Sequence, residues 1–383
     1  MTARDRVRLK VGTREWSGFT RMSISSGIER AAADFAFETT LKVPDIANPI
    51  LIRPLSRCQV FLDTEQVVNG FVDSVSPSFD SSSSSAGVSG RSATGDLVDC
   101  SATGTPASWS NLTVAQIARQ IAAPYSVGVI DNVRSANKIQ RFRLNKNEHA
   151  FDAIERLARL DALLVHDNPI GALVLDRVST DKSTTALELG PIGPGGILAG
   201  SATFDGSGLF SELRVKGQRK GKDKDTGNKL RTLETVEDDA VERFRLLLMD
   251  APGRADRARC REVARWEQAG RLAKSIQAQV TIRGWRQASG NLWRPNLLVN
   301  VDCWRLALFG ELLIAEVAFA IDKTGGAVTT LHLSPPDAFV PLDPKKKGKR
   351  KAAGVWLNEA DLASLQLTLQ TLQARGWLPT ETP

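Results

Sequence analysis

Histidine and cysteine are scarce in this chain, with three and four copies in 383 residues. His149, His166 and His332 have no cysteine or second histidine within a few residues, which excludes a local zinc cluster. Cys58, Cys100, Cys260 and Cys303 show no C-x-x-C spacing. They read as reduced, mostly buried small apolar residues of a protein made in the cytosol. No run of roughly 18 apolar residues occurs, so no helix is expected to span a membrane. The opening MTARDRVRLK lacks the apolar core of a secretory signal. The G-x-S-x-G elbow that would single out a hydrolase nucleophile is also missing. A Ser-His-Asp triad assembled from distant parts stays open, because chain order does not forbid one.

The remaining chemical candidates have simpler explanations. Gly190 to Gly200, GPIGPGGILAG, lacks the G-x-G-x-x-G and G-K-[ST] patterns, and its prolines remove backbone donors that a phosphate cradle needs. It reads as a linker. With 43 acidic residues, neighbours such as Asp238–Asp239 and Glu234/Glu237 read as a solvated acidic face. His166, in VHDNPIG, reads as a solvated turn histidine between two apolar strands. No catalytic residue, cofactor or metal site is expected. The formal charge of +7 permits weak attraction to nucleic acid without arguing for it.

What the chain does contain is a repeat. Residues 35–62 and 276–303 align without a gap, matching Thr40 with Thr281, Ala47 with Ala288, Leu51 with Leu292 and Val60 with Val301. The signature is Arg53–Pro54 against Arg294–Pro295, preceded by Ile52 and Trp293. After a one-residue slip, Gly70 to Asp80 follows Leu312 to Asp322, pairing Val72 with Ile314 and Val75 with Val317. Upstream, Phe19 to Gly27 is matched with Phe210 to Gly217. Alternation alone is common to all strands. An R-P at a fixed distance from both flanking strands is not. Proline cannot donate to a ladder, so it marks the entrance of a strand, where Ile52 or Trp293 can cap a barrel end. The short alternating strands predict two small antiparallel barrels.

Between the repeats the period changes. Asn111 to Ala122 places Val114, Ile117, Ala118 and Ile121 on one helical face, and Glu148 to Leu163 does so through Phe151, Ile154, Leu157 and Ala158. A hairpin follows, and a third, arginine-rich helix at 254–274, read as solvated on its polar face, interrupts the second repeat. The fold class expected is α+β, mainly β. Its parts are a first barrel at 1–105, an α+β module at 106–186, a second barrel at 187–340, and a basic linker with a leucine helix at 341–383. Ser81 to Ser85, Val215 to Lys229 and Pro344 to Lys351 read as solvated loops or linkers, lacking the interleaved aromatics of a single-strand groove. Leu362, Leu365, Leu369 and Leu372 form a stripe too short to stand alone, which predicts docking onto a partner.

The block from Asn291 to Phe339, LWRPNLLVNV…GELLIAEVAFAIDKTGGAVTTLHLSPPDAF, resembles the second barrel of contractile-tail baseplate hub proteins. Gly90 to Val129 is similar to their Mu-like branch, and the resemblance runs from residue 1 to about 340. It implies a nonenzymatic homotrimer in the virion tail baseplate, joining the tail tube protein to a trimeric spike among other baseplate proteins. Related VgrG-type hubs continue into a β-helical spike. A short leucine helix in that place implies a separate spike protein. Three chains with a duplicated barrel would present six similar units to a sixfold tube. DNA passing the ring would make transient, non-specific contacts. Two other readings stand beside this one. The basic pI and lysine runs would suit a nucleic-acid-binding β-barrel. A tail-associated cell-wall hydrolase would need an acid–base pair in a cleft, with Glu155 and Glu267 among its carboxylates.

Overall fold

The structure, a computed structural model, describes residues 6–41, 52–81, 84–103, 107–190, 193–218, 231–239, 241–321 and 326–336. The fold is α+β and mainly β. Among the described residues seven strands come first: β1 (Val7–Val11), β2 (Arg14–Trp16), β3 (Arg21–Gly27), β4 (Asp34–Leu41), β5 (Arg57–Leu62), β6 (Glu65–Phe79) and β7 (Ser84–Ser92). They pair in the order β2-β1-β5-β6-β7-β4-β3 and curl around Leu9, Phe35, Val60, Leu62 and Val72. Period-2 burial drives this: β7 alternates buried and half-buried residues from Ala86 to Ser92. Gly90 is required here, since a Cβ would lie 2.6 Å from the Phe35 ring. Ser84 and Ser85 open β7, so the serine run is partly strand and not all loop.

A helical module follows. α1 (Gly95–Asp99) leads to two small ladders, β8 (Ser108–Trp109) with β12 (Phe142–Arg143), and β9 (Leu112–Thr113) with β11 (Lys138–Ile139). α2 (Val114–Ala122) starts at a Thr113 capping box with Gln116 and buries Val114, Ile117, Ala118 and Ile121, the face expected from its spacing. α3 (Ala150–Ala158) buries Ile154, Leu157 and Ala158, while Phe151 is only half-buried. Both helices share a core with the sheet β10 (Val129–Asp131), β14 (Leu173–Asp176) and β13 (Leu164–Asp167).

The second barrel is closed. β15 (Leu187–Leu189), β21 (Leu297–Cys303), β22 (Leu308–Ile321), β23 (Ala327–Ser334), β20 (Ile276–Arg283) and β16 (Gly196–Phe204) pair in that cyclic order. Its pairs are antiparallel except at β15, which runs parallel to both neighbours. Because β16 begins at Gly196, the stretch read as a linker supplies a barrel strand. Two prolines do not prevent this, since both precede the strand. Between β16 and β20 lies a side sheet, β18 (Arg231–Glu237), β17 (Glu212–Gln218) and β19 (Leu246–Arg254), covered by α4 (Arg257–Ser275).

Ladder partners fix which strands correspond. Phe35 pairs with Ile24 in the first barrel, and its equivalent Ile276 pairs with Phe204 in the second. The counterpart of β3 is therefore β16, and the upstream match of Phe19–Gly27 with Phe210–Gly217 is corrected. Alternation misled there, because β17 belongs to the side sheet. Elsewhere the repeat is detailed. The ladder of β6 on β7 shifts between Val72 and Ser74, and that of β22 on β23 shifts between Ile314 and Glu316, the same place in each copy. The one-residue slip also has a cause. Leu62 and Glu65 close a hairpin over two residues, whereas Cys303 and Leu308 close one over four. A bulge between Val60 and Phe61 takes back one residue of that difference.

Candidate functional site

The R-P signature sits at matching turns. Pro54 is followed by Leu55 at φ 65°, and Pro295 by Asn296 at φ 59°. Proline before a positive φ is the pattern of a type II turn, and the Ser56 N–H donates to the Arg53 carbonyl at 3.2 Å. Each turn is then anchored identically: the Leu55 N–H donates to the Val72 carbonyl (2.7 Å), and the Asn296 N–H to the Ile314 carbonyl (2.9 Å). Ile52 and Trp293, the residues before each R-P, are buried. Arg53 is exposed, and Arg294 donates to Asp181 of the helical module at 2.8 Å.

Two contacts lock the barrels together. First, β3 pairs antiparallel with β22, from Gly27 opposite Glu316 to Ser23 opposite Ala320, so one 13-stranded sheet runs through both. Arg30 reinforces it, 2.9 Å from Glu316. Second, the tight hairpin at Asp63 meets a loop of the other barrel. Arg286 donates to Asp63 at 2.8 Å and pairs with Glu65, while Arg6 approaches Asp63 from its own barrel. The Arg6 hydrogen bond, helped by Arg286 and opposed by partial burial, lowers the Asp63 carboxyl to about 2. This cluster was not visible in sequence, because its members lie 223 positions apart.

A cavity of about 1140 Å³ opens where both barrels and the helical module meet, lined by Val67, Ile130, His166, Asp176, Trp293 and Asn296 among others. His166 is a strand residue with a side chain 15% exposed, so the solvated-turn reading is corrected; the turn begins after Asp167. Its Nδ1 bonds the Asp167 carbonyl oxygen at 2.7 Å, and its Nε2 lies 3.8 Å from Asp176, beyond hydrogen-bond reach. Burial raises the Asp176 carboxyl, but His166, the Arg177 N–H and Asn132 outweigh it and hold the group low. Asn296 ties the cavity wall, accepting from the Ser179 N–H and donating to the Arg177 carbonyl, both at 2.9 Å. The buried Nε1 of Trp293 has no protein partner.

Three of the acids considered for chemistry, Glu234, Glu155 and Glu267, are held by arginines. Glu234 is 8% exposed and receives Arg261 at 2.7 Å, so it is no part of a solvated face. Arg257 and Arg261 of α4 both turn to it, which also corrects the reading of that helix's polar face as simply solvated. Glu155 and Glu267 pair with Arg159 and Arg271 one helical turn away. His149 stands just before α3 without a side-chain capping bond, His332 lies in β23, and among the described residues no group of three His, Cys, Asp or Glu is placed to hold a metal. Of the cysteines, Cys58, Cys260 and Cys303 are buried and Cys100 is half-buried, all four as free thiols. No helix among the described residues is long and apolar enough to cross a membrane. Leu362, Leu365, Leu369 and Leu372 lie outside the described residues, as do both lysine runs, apart from Val215 to Gln218.

Three family models match in succession. Residues 6–92 match the N-terminal domain of Mu phage baseplate assembly protein GpP-like proteins, and 94–177 the second domain of baseplate hub protein gp44-like proteins. Residues 256–342 match the fourth domain of Mu phage baseplate assembly protein GpP. The baseplate hub protein gp44 of Escherichia phage Mu is 30% identical over 354 residues, covering 90% of this chain and 92% of that one. The crystal structure of the 43 kDa tail protein of prophage MuSo2 from Shewanella oneidensis superimposes with a TM-score of 0.78 at 29% identity. It covers 87% of this chain and 99% of that one. A component of the Escherichia coli type VI secretion system, described as similar to T4 tail proteins gp27 and gp5, shares the fold at a TM-score of 0.55 and 11% identity. That match covers 88% of this chain and 79% of the other. Matched along nine-tenths of its length at 30% identity by a baseplate hub protein, the chain belongs to the Mu-type baseplate hub protein gp44 family.

Proposed function

We propose that this baseplate hub of the virion tail works as a homotrimer, whose six barrels form a ring between the sixfold tail tube and a separate trimeric spike. The carrying observation is the depth of the duplication: the two barrels share the R-P turn, its anchoring bond and the ladder shift at Val72 and Ile314. Two barrels so alike, fixed side by side by β3 and β22, supply paired units that three chains multiply to six. A sixfold face toward the tube then coexists with a threefold face toward the spike. The helical module and the α4 side sheet break the sixfold likeness, since each occurs once among the described residues.

In this reading residues 1–105 and 187–340 are the ring units, the latter carrying the 254–274 helix. Residues 106–186 form the inserted module, and 341–383 are linker and docking segment. Arg53–Pro54 and Trp293–Arg294–Pro295 serve the barrels' shape. Leu362, Leu365, Leu369 and Leu372 dock onto a neighbouring chain or the spike. The work is structural, and DNA leaving through the ring meets only non-specific, salt-dependent contacts.

Electron microscopy of the purified full chain tests the ring: particles with six lobes, threefold symmetry and a central opening are expected, and single two-lobed particles would contradict it. Deleting residues 345–383 should abolish spike capture. Unchanged trimer and unchanged capture would remove the docking role of the leucines.

A further inference from the structure

Two buried polar atoms among the residues of the junction cavity have no partner among the described residues. Trp293, 2% exposed, carries an indole Nε1–H that can only donate. His166 bonds the Asp167 carbonyl through Nδ1. A carbonyl only accepts, so Nδ1 holds the proton and the neutral ring's Nε2 is an acceptor. Buried polar groups are almost always paired, so a donor and an acceptor kept without protein partners at one cavity point to a ligand that answers both. Apolar surface lies beside them: Val67, Val133 and Leu292 are half-buried, and Ile130 is 37% exposed.

The chain itself leads a segment to this place. β23 ends at Ser334, which pairs with Leu313, and Leu313 pairs in turn with Leu298. That row points out of the second barrel, because Leu298 and Leu313 cluster with Ile28, Leu164 and Val178 and not with the barrel's own core. Val178 also lines the cavity, as does Leu297, the neighbour of Leu298. The described chain therefore stops at Pro336 beside the cavity, with residues 337–383 still to follow. Among these, Leu362, Leu365, Leu369 and Leu372 recur at helical spacing, and Gln366, Gln370 and Gln373 each follow one of those leucines. Leucines suit the apolar wall, in the manner of an amphipathic helix laid into a groove. A glutamine amide offers a carbonyl to an indole N–H and an N–H to an imidazole nitrogen. We propose that this segment of a neighbouring copy docks in the cavity, its leucines against Val67, Ile130 and Leu292 and a glutamine amide on Trp293 and His166. The inference rests on the proposed docking role of the leucines and names the surface that receives them. A linker of residues 337–357 can reach about 70 Å, more than a return to the chain's own cavity needs and suited to the next copy's.

The test places the photo-crosslinking residue p-benzoylphenylalanine at Leu369 in the full chain. Irradiation should give covalent two- and three-chain species, with adducts mapped by mass spectrometry to the cavity wall at 130–133, 174–178 or 291–297. A trimer by native mass whose adducts fall elsewhere, or that forms none, would overturn the cavity as the dock and leave the ring and a spike contact of the leucines standing. Adducts to the cavity of the same chain alone would overturn the exchange between copies. A chain that is monomeric at every concentration would overturn the exchange and the ring together. A labelled synthetic peptide of residues 355–377 gives a second reading, added to the full chain carrying Leu365→Asp and Leu369→Asp. It should bind saturably. Ile130→Arg should then weaken binding at least about tenfold, as loss of an apolar interface anchor does, with the thermal midpoint unchanged because Ile130 is exposed. Peptide binding that is absent, or that Ile130→Arg leaves unaltered, would contradict the proposal.

Discussion

The two barrels differ most at the strands outside their aligned segments. The second closes on itself because β15 bridges β21 and β16, whereas in the first β1 takes the place of β15 in the opposite direction and bonds β5 and β2 instead. The second strand edge that would complete the first barrel, β3, is bonded to the second barrel at β22. The same plan thus yields a closed unit and a unit whose edge is spent on its neighbour. Duplication supplies matched surfaces, and small differences in strand pairing decide which are used within the chain.

Breaking the caps should give the largest effect. Trp293 and Ile52 occupy the same position at 2% and 6% exposure. Trp293→Ala is expected to cost about 4 kcal/mol, and Ile52→Ala about 2–3 kcal/mol, from the difference in buried volume. Denaturant unfolding followed by tryptophan fluorescence and by circular dichroism would measure both. Equal losses would mean that the caps carry different loads than their size implies.

Exchanging the turn residues sharpens the comparison. Asn296→Leu should destabilise by about 2–3 kcal/mol, because it strains a left-handed position and orphans the Ser179 N–H and Arg177 carbonyl behind a buried site. Leu55→Asn runs the other way. Leu55 is 82% exposed at the same left-handed φ, so asparagine there should stabilise by about 0.5–1 kcal/mol. A thermal shift in the same direction for both variants would refute this account of the turn.

The clamp between the barrels is weaker. Arg286→Met should cost about 1–2 kcal/mol, since its partners are partly exposed and Arg6 still holds Asp63. Hydrogen exchange should rise along β3 and β22 more than inside either barrel. The smallest effect is in acid. Asp63 is held at about 2, below its ordinary 3.8, so its contribution is complete above pH 4 and is lost as the pH falls toward 2. Discounted for solvent screening, this amounts to about 1 kcal/mol. Asp63→Asn should flatten that part of the stability–pH curve, and an unchanged slope between pH 4 and 2 would assign the acid sensitivity elsewhere.

The sequence carried the barrels better than it carried their junction. The R-P turns, the alternation of β4 and β20 and the capped helix α2 are local patterns, so they could be read directly. β16 was hidden behind glycine and proline, whose turn signals end just where the strand begins. β17 imitated β3, because alternation says nothing about which ladder a strand joins. The Arg286–Asp63 clamp, the burial of Glu234 and the position of His166 all depend on distant segments meeting. The slip between the repeats was readable as a number, and only strand pairing explained it.

In the proposed ring, two barrels per chain become six. Native mass of the full chain by sedimentation or light scattering, over a range of concentration and salt, addresses that most directly. A species of three times 41.5 kDa that persists on dilution is the predicted result. A chain that stays at 41.5 kDa at every concentration would contradict the ring as a property of this protein on its own.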